Sequence, residues 1–162
     1  MANDSWLDLI AQKAMRDLFA GYDLILQERR GEGSARLSYS STICFISEPV
    51  KASVILAMGE DSLKASMSPG IDEPADWIGE LGNQLLGRAV NLLCTYGVHG
   101  RMGTPVVLPG SLAAPDGEVW EQLRFEVAGS PVLAAFVWAV DPNFVPQETA
   151  LEVMSEGDSI LF

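Results

Sequence analysis

The sequence has few of the side chains on which metal, thiol and nucleic-acid chemistry depend. It contains one histidine (His99), two cysteines (Cys44 and Cys94) and no Cys-x-x-Cys pair, so these three side chains cannot complete a four-ligand zinc site. We expect two buried, reduced thiols and a structural role for His99 in a strand. Only 10 Lys and Arg oppose 22 Asp and Glu, and the formal charge of −12 disfavours nucleic acid and anionic membranes as partners.

Long apolar segments are also missing. No run approaches the roughly 18 apolar residues of a membrane-spanning helix. Residues 1–10 lack the basic start and apolar run of a signal peptide, so we expect a cytoplasmic protein. The 162 residues, 48% of them hydrophobic, correspond to one domain with enough apolar side chains for a core.

The hydrophobic pattern predicts two long helices that are each followed by strands. Apolar residues at helical spacing predict a first helix from about Trp6, ending before Arg30 with a turn over 31–34, and a second helix over about 74–96. A shorter helix is expected over 60–67. Alternating or continuously apolar segments predict strands over 37–45, 50–58, 98–108, 119–128 and 132–140. The last of these lacks polar alternation, which indicates a central strand covered on both faces.

The two long helices share one apolar template when Trp6 is aligned with Trp77. The residues that then coincide are Leu7, Ile10, Ala14 and Leu18 with Ile78, Leu81, Leu85 and Ala89. Because antiparallel strands follow each helix, we expect an internal pseudo-duplication. The predicted fold is α+β, with two long pseudo-symmetric helices packed on an antiparallel sheet. Residues 1–141 would form this domain, and residues 142–162 an acidic C-terminal tail.

The second helix also carries a polar row, about 170° from its apolar face. Its members, spaced by four, three and four residues, are Asp76, Glu80, Asn83 and Gly87. Mid-helix Asn is a mediocre helix former, and each of Gly79, Gly82 and Gly87 costs about 1 kcal/mol relative to Ala. Residues that form helices poorly indicate that this face has another purpose, a flat surface that the backbone of another protein approaches. The alternative interpretation is an ordinary solvated helix face.

Together with Pro105, this row resembles the motif of the CheC/CheX/FliY phosphatases of bacterial chemotaxis. Their pattern is Asp or Ser, three residues, Glu, two residues, Asn and a later Pro. Here the 21 residues 84–104 separate Asn83 from Pro105, one fewer than in the family. The resemblance covers about residues 4–141 and implies the same two-helix fold.

The first helix does not repeat the motif. The positions that correspond to the polar row are Ser5, Leu9, Gln12 and Arg16. Leu9 cannot replace a glutamate, so one site is expected. A single site resembles the CheX branch, whose members tend to be homodimers.

The resemblance implies a phosphatase that acts on the aspartyl phosphate of a CheY-like receiver domain. Asn83 would orient the attacking water, and Glu80 would pair with a receiver lysine. Asp76 would cap or support the row, Pro105 would support the site, and Gly87 would let the receiver approach. This chain would bind no metal or cofactor, because Mg²⁺ would be supplied by the receiver. The alternatives are a non-catalytic receiver-binding adaptor of the same fold, or an α+β domain in which the motif occurs by chance.

The last residues form a second candidate contact with the receiver. The stretch after Gly157 resembles the short CheY-binding peptides of the flagellar switch protein FliM and the phosphatase CheZ. Its residues are Asp158, Ser159, Ile160, Leu161 and Phe162. The first two would cap a helical turn that presents three apolar anchors. The alternative is that this stretch folds back on the core as a last strand.

Overall fold

The computed structural model describes residues 5–29, 36–110 and 121–147. Within those ranges the helices and strands follow the predicted order, apart from one added short strand and the division of one predicted strand into two. They are α1 (Ser5–Ala20), β1 (Gln27–Glu28), β2 (Tyr39–Ser47), β3 (Val50–Met58), α2 (Glu60–Ser66), α3 (Pro74–Thr95), β4 (Gly100–Met102), β5 (Val106–Pro109), β6 (Glu121–Val127) and β7 (Ser130–Val140).

The strands form one antiparallel sheet in the order β1-β6-β7-β3-β2-β4, with β5 also paired to β2. Exchanging β1 with β4/β5, β2 with β6 and β3 with β7 gives the same strand order, read from the opposite edge of the sheet. A pseudo-twofold axis therefore passes between β3 and β7. The ring of Trp6 at the start of α1 packs against Tyr96 after α3, and Tyr22 after α1 contacts Trp77 near the start of α3. The two helices are therefore antiparallel. The predicted pseudo-symmetric α+β fold is confirmed.

One face of the sheet and the two long helices enclose the core. Ile43 of β2, Val54 of β3 and Phe136 of β7 lie in register on this face and are almost fully buried. The central position of β7 is confirmed, and its helix-facing residues Val132, Ala134 and Phe136 are buried. On the opposite face Leu133 and Val137 are only half-buried, so cover on that face is partial.

The first helix ends earlier than predicted. The amide of Leu24 donates to the Phe19 carbonyl and the amide of Asp23 to the Ala20 carbonyl, both at 3.0 Å, and Asp23 has a φ of 57°. This is a Schellman-type end, in which a left-handed residue redirects the chain. The short strand β1, which the pattern did not predict, follows at the edge of the sheet. The expected turn over 31–34 lies outside the described residues.

The strand predicted over 98–108 is interrupted. Phe45 of β2 pairs with Met102 of β4, and Thr42 pairs with Val106 of β5. Residues 103–105 therefore lie opposite only residues 43–44, which leaves one extra residue as in a β-bulge. This loop projects from the sheet edge and reaches the candidate site.

The expectation that both cysteines are buried is wrong. Cys44 is exposed, because strand alternation places it on the face opposite to the buried Ile43 and Phe45. Cys94 is half-buried, and both thiols are free. His99 is exposed and lies just before β4 rather than within a strand.

After β7 the chain remains in contact with the domain. Phe144 lies 6.3 Å from the Trp6 ring, and the amide of Gln147 donates to the Tyr96 carbonyl at 3.3 Å. The division at residue 141 stays a prediction, and the tail over 148–162 lies outside the described residues.

Candidate functional site

The orientation of α3 separates an apolar face from a polar face. Ile78, Leu81 and Leu85 are completely buried against the sheet and α1. Asp76, Glu80 and Asn83 are exposed, and Gly87 is partly exposed. The predicted row therefore lies along the solvent side of the helix.

A groove of about 550 Å³ runs between this row and the loop that joins β4 to β5. The residues that line it are Ala75, Asp76, Gly79, Glu80, Asn83, Gly103, Thr104, Pro105 and Val107. The structure thus brings together the predicted Asp76, Glu80, Asn83 and Pro105, although 21 residues separate the last two in sequence. Gly87 does not line this groove and lies one turn further along α3.

The three glycines of α3 serve two different purposes. A Cβ at Gly82 would overlap Ser41 Oγ, and a Cβ at Gly79 would lie 3.1 Å from Val107 Cγ2. Both glycines are buried and let the helix approach the sheet closely. A Cβ at Gly87 would meet no heavy atom within 4 Å. Of these three glycines, Gly87 is therefore the one that leaves open space beside α3, and a partner at this space stays a prediction.

The two central polar side chains of the row differ in their contacts. Glu80 Oε1 accepts a hydrogen bond from Gln84 Nε2 at 3.0 Å. The Asn83 amide has no hydrogen-bond partner among the described residues, so its donor and acceptor are both available to water or a ligand. An oriented carboxylate and a free amide thus stand one helical turn apart, with Cβ atoms about 5–6 Å apart at this spacing.

Asp76 is not a helix cap. The N-cap residue of α3 is Glu73, which makes no side-chain capping bond. Asp76 lies within the first turn, where a carboxylate interacts favourably with the helix dipole. Asp76 therefore lies at the end of the groove nearest the helix start, and its supporting role stays a prediction.

Sequence reasoning missed three polar side chains at or next to the groove. Thr104 lines it directly from the β4–β5 loop, where only its position before Pro105 gave any signal. Gln84 contacts Glu80, and Tyr22 contacts Gln84 at 2.7 Å. Gln84 is four residues after Glu80, a spacing that predicts a contact on a helix. Tyr22 could not be found in this way, because its approach depends on how α1 packs against α3.

The corresponding face of α1 has a different chemistry. Leu9, at the position equivalent to Glu80, is 64% exposed, and Gln12 is exposed at the position equivalent to Asn83. Arg16, equivalent to the open Gly87, lies 3.3 Å from Glu28 and 5.7 Å from the ring centre of Phe125. This face lacks a carboxylate at the central position and carries a long side chain where α3 has open space.

No group of three or more His, Cys, Asp or Glu side chains in the described ranges is placed to hold a metal ion. None of the described helices has the length and apolarity that crossing a bilayer requires.

Comparison with known proteins identifies the fold. No family model and no curated protein matches the chain. Among solved structures, it is similar to chemotaxis protein CheX from Vibrio vulnificus, with 19% identity, a TM-score of 0.64, and coverage of 80% of this chain and 97% of that chain. A CheC-like superfamily protein from Shewanella sp. PV-4 gives 20% identity and a TM-score of 0.68, covering 86% of this chain and 99% of that chain.

A third similar structure contains a partner. It is the CheX–CheY–BeF₃–Mg²⁺ complex from Borrelia burgdorferi, with 16% identity, a TM-score of 0.56, and coverage of 83% of this chain and 96% of that chain. The chain therefore has the fold of CheX and CheC-like chemotaxis proteins over nearly their whole length.

Proposed function

We propose that this chain, which has the CheX and CheC-like fold, is a phosphatase that hydrolyses the aspartyl phosphate of a CheY-like receiver domain. The observation that carries the proposal is the groove in which Glu80 and Asn83 stand exposed beside Pro105. The complex of a similarly folded CheX with CheY supports the choice of partner.

Asn83 is the proposed water-positioning residue. An acyl phosphate is already activated, so its hydrolysis needs an in-line water and charge stabilisation more than a strong base. A carboxamide accepts a hydrogen bond from water with its oxygen and donates to a phosphoryl oxygen with its nitrogen. The Asn83 side chain is exposed and makes no hydrogen bond to the described residues. None of these residues therefore competes with the water and the phosphoryl oxygen for the Asn83 amide.

Glu80 is the proposed docking residue. Its carboxylate faces the groove one turn from Asn83 and would pair with a lysine near the receiver's phosphorylation site. A hydrogen bond to a charged group contributes about 1.5–3 kcal/mol, which at 1.4 kcal/mol per tenfold corresponds to roughly tenfold or more in affinity. Mg²⁺ would be held by the receiver's own carboxylates, in agreement with the Mg²⁺ of the CheX–CheY complex.

The test is the decay of receiver phosphate. A CheY-like receiver is phosphorylated with a small phosphodonor in the presence of Mg²⁺, and its decay is followed with substoichiometric amounts of this chain. We expect multiple turnover in the wild type and a loss of about 100-fold in Asn83→Ala, the scale of effect expected when a reactant is misplaced. Glu80→Gln should raise KM about tenfold and leave kcat nearly unchanged.

The matched control is Gln12→Ala. It removes an exposed carboxamide from the equivalent position of α1 and should leave the decay rate unchanged. Full activity in a folded Asn83→Ala variant would refute the assignment of the water-positioning residue. If the chain binds the receiver without accelerating the decay of its phosphate, the non-catalytic adaptor is favoured. If the chain neither binds the receiver nor accelerates the decay, the proposal is refuted.

We further propose that residues 158–162 bind the receiver and raise its concentration near the groove. Deletion of residues 157–162 should raise KM without changing kcat or the thermal midpoint. An unchanged KM would exclude this role.

The resemblance to the single-site branch also leads us to propose a homodimer, which sedimentation equilibrium would test, and a cytoplasmic location, where a receiver substrate resides.

A further inference from the structure

Gln84 occupies a position between the groove and the protein interior. It follows Glu80 by one helical turn and is half-buried, and it does not line the groove itself. Its Nε2 donates to Glu80 Oε1 at 3.0 Å, and its Oε1 accepts from the Tyr22 hydroxyl at 2.7 Å. The Gln84 amide thus connects an exposed carboxylate with a side chain from the other half of the pseudo-symmetric fold.

The chemistry of the three groups permits one orientation only. An ionised carboxylate accepts hydrogen bonds and donates none, so the nitrogen of the amide must face Glu80. The amide oxygen then faces Tyr22, whose hydroxyl can donate. Turning the amide by 180° would place two acceptor oxygens together at Glu80 and break that contact, whereas the Tyr22 hydroxyl could accept from the amide nitrogen instead. The Glu80 carboxylate therefore sets the orientation of the amide.

Tyr22 is itself held in place. It is the last residue before the left-handed Asp23 that ends α1. Its ring packs edge-on against Trp77, with centroids 5.6 Å apart and an interplanar angle of 83°. The Trp77 indole donates to the buried Ser66 hydroxyl at 3.0 Å. The position of Glu80 Oε1 is therefore linked through two hydrogen bonds to the packing of α1, α2 and α3.

The equivalent residue on α1 shows that this arrangement is not a general feature of the two helices. The position equivalent to Gln84 is Lys13, which pairs with Asp17 on its own helix at 2.9 Å and is exposed. Of the two long helices, α3, which carries Glu80 and Asn83, is the one whose polar row is joined by hydrogen bonds to a side chain of the other half of the fold.

We propose that Gln84 and Tyr22 are positioning residues for Glu80. They hold Oε1 in one orientation and leave Oε2 without a hydrogen bond to the described residues, available to the partner. The rotation of the carboxylate is thus already restricted before the receiver binds. This inference rests on the proposed function. Immobilising one flexible side chain weakens binding by an amount that corresponds to about 3- to 10-fold in affinity.

The variants that test this role are Tyr22→Phe and Gln84→Met. The first removes one hydroxyl, and the second keeps the approximate volume while removing both polar atoms. Each should raise KM for the phosphorylated receiver about 3- to 10-fold with little change in kcat. In a Glu80→Ala background neither should have any further effect, because the group that they position is gone. Lys13→Met is the matched control and should change neither constant.

A purely structural role gives a different result. If the two side chains only stabilise the fold, KM stays the same in the wild-type background, or it changes equally with and without Glu80. Either result would overturn the proposal.

A second measurement separates this inference from the proposed function. In the free chain, the side-chain amide resonances of Gln84 should shift in Tyr22→Phe and in Glu80→Ala, while those of Gln12 should not. If Gln84 does not respond, the positioning role fails whatever the activity. If it responds but the chain hydrolyses no receiver phosphate, the proposed phosphatase fails, and the affinity for a BeF₃⁻-activated receiver replaces KM in the same comparison. No effect of Tyr22→Phe on that affinity would overturn the positioning role.

Discussion

Two glycines of α3 provide a matched pair for testing how the helix sits on the sheet. Gly82 and Gly87 are both interior helical positions, so replacement by Ala gains about 1 kcal/mol of helix propensity at each. At Gly87 the new methyl meets no heavy atom within 4 Å, so we expect the whole gain. At Gly82 it overlaps Ser41 Oγ, and overpacking of this kind costs about 1–3 kcal/mol.

The propensity gain cancels when the two variants are compared. The free energy of unfolding of Gly87→Ala should therefore exceed that of Gly82→Ala by about 1–3 kcal/mol. The assay is urea unfolding followed by tryptophan fluorescence, with the m-value monitored to confirm that only stability has changed.

Ser41 supplies the control. Its buried hydroxyl has no hydrogen-bond partner in the described part of the chain, so Ser41→Ala should be nearly neutral. Combined with Gly82→Ala it removes the overlapping oxygen and leaves only a 3.3 Å approach to Ser41 Cβ. The double variant should be more stable than the sum of the single effects by about 1–3 kcal/mol.

Two results would refute this reasoning. One is equal stabilisation by Gly82→Ala and Gly87→Ala, and the other is strict additivity in the cycle with Ser41→Ala. Gly87→Ala also tests the receiver surface, because under the proposed function it should raise KM while it stabilises the chain.

Two further predictions concern the turn between β6 and β7 and the two thiols. Ala128 and Gly129 have φ of 52° and 72°, as in a type I′ turn, so Ala128→Asn should raise the free energy of unfolding by about 1 kcal/mol, whereas an unchanged urea midpoint would argue against strain at this turn. Burial raises the pKa of the Cys94 thiol, so alkylation at pH 8 should modify the exposed Cys44 first and reach Cys94 only as the pH rises. Because this native-state pKa lies above the unfolded value, the contribution of Cys94 to stability is complete below the unfolded pKa and is lost as the pH rises through the folded pKa. Equal alkylation rates of the two thiols at pH 8 would contradict this assignment.

Local pattern was sufficient for the second long helix and for one strand of the hairpin that precedes it. The strand Val50–Met58 and the helix Pro74–Thr95 lie within one residue of their predicted bounds, because each combines a strong periodicity with a clear start or stop signal. The same periodicity placed Asp76, Glu80 and Asn83 on the exposed face, since positions three and four residues apart share one side of a helix.

Long-range geometry could not be predicted in this way. The end of α1 at Ala20 depends on a left-handed Asp23, a conformation that glycine adopts far more readily. The split of one predicted strand into β4 and β5 depends on one extra residue opposite β2, which becomes visible only when the register is known. Cys44 is exposed because the face of β2 that packs against the helices is the one with Ile43 and Phe45.

The sequence by itself determined which residues share the polar face of the second helix, because helical periodicity is a property of the local backbone. It also indicated the pseudo-duplication, because both halves repeat one apolar template. Only the tertiary structure decided that Pro105 and Thr104 close the groove, that Gly82 lies against Ser41, and that Tyr22 reaches Gln84. These contacts join segments far apart in the chain, and their formation depends on sheet register and on the packing of α1 against α3, which no local pattern encodes.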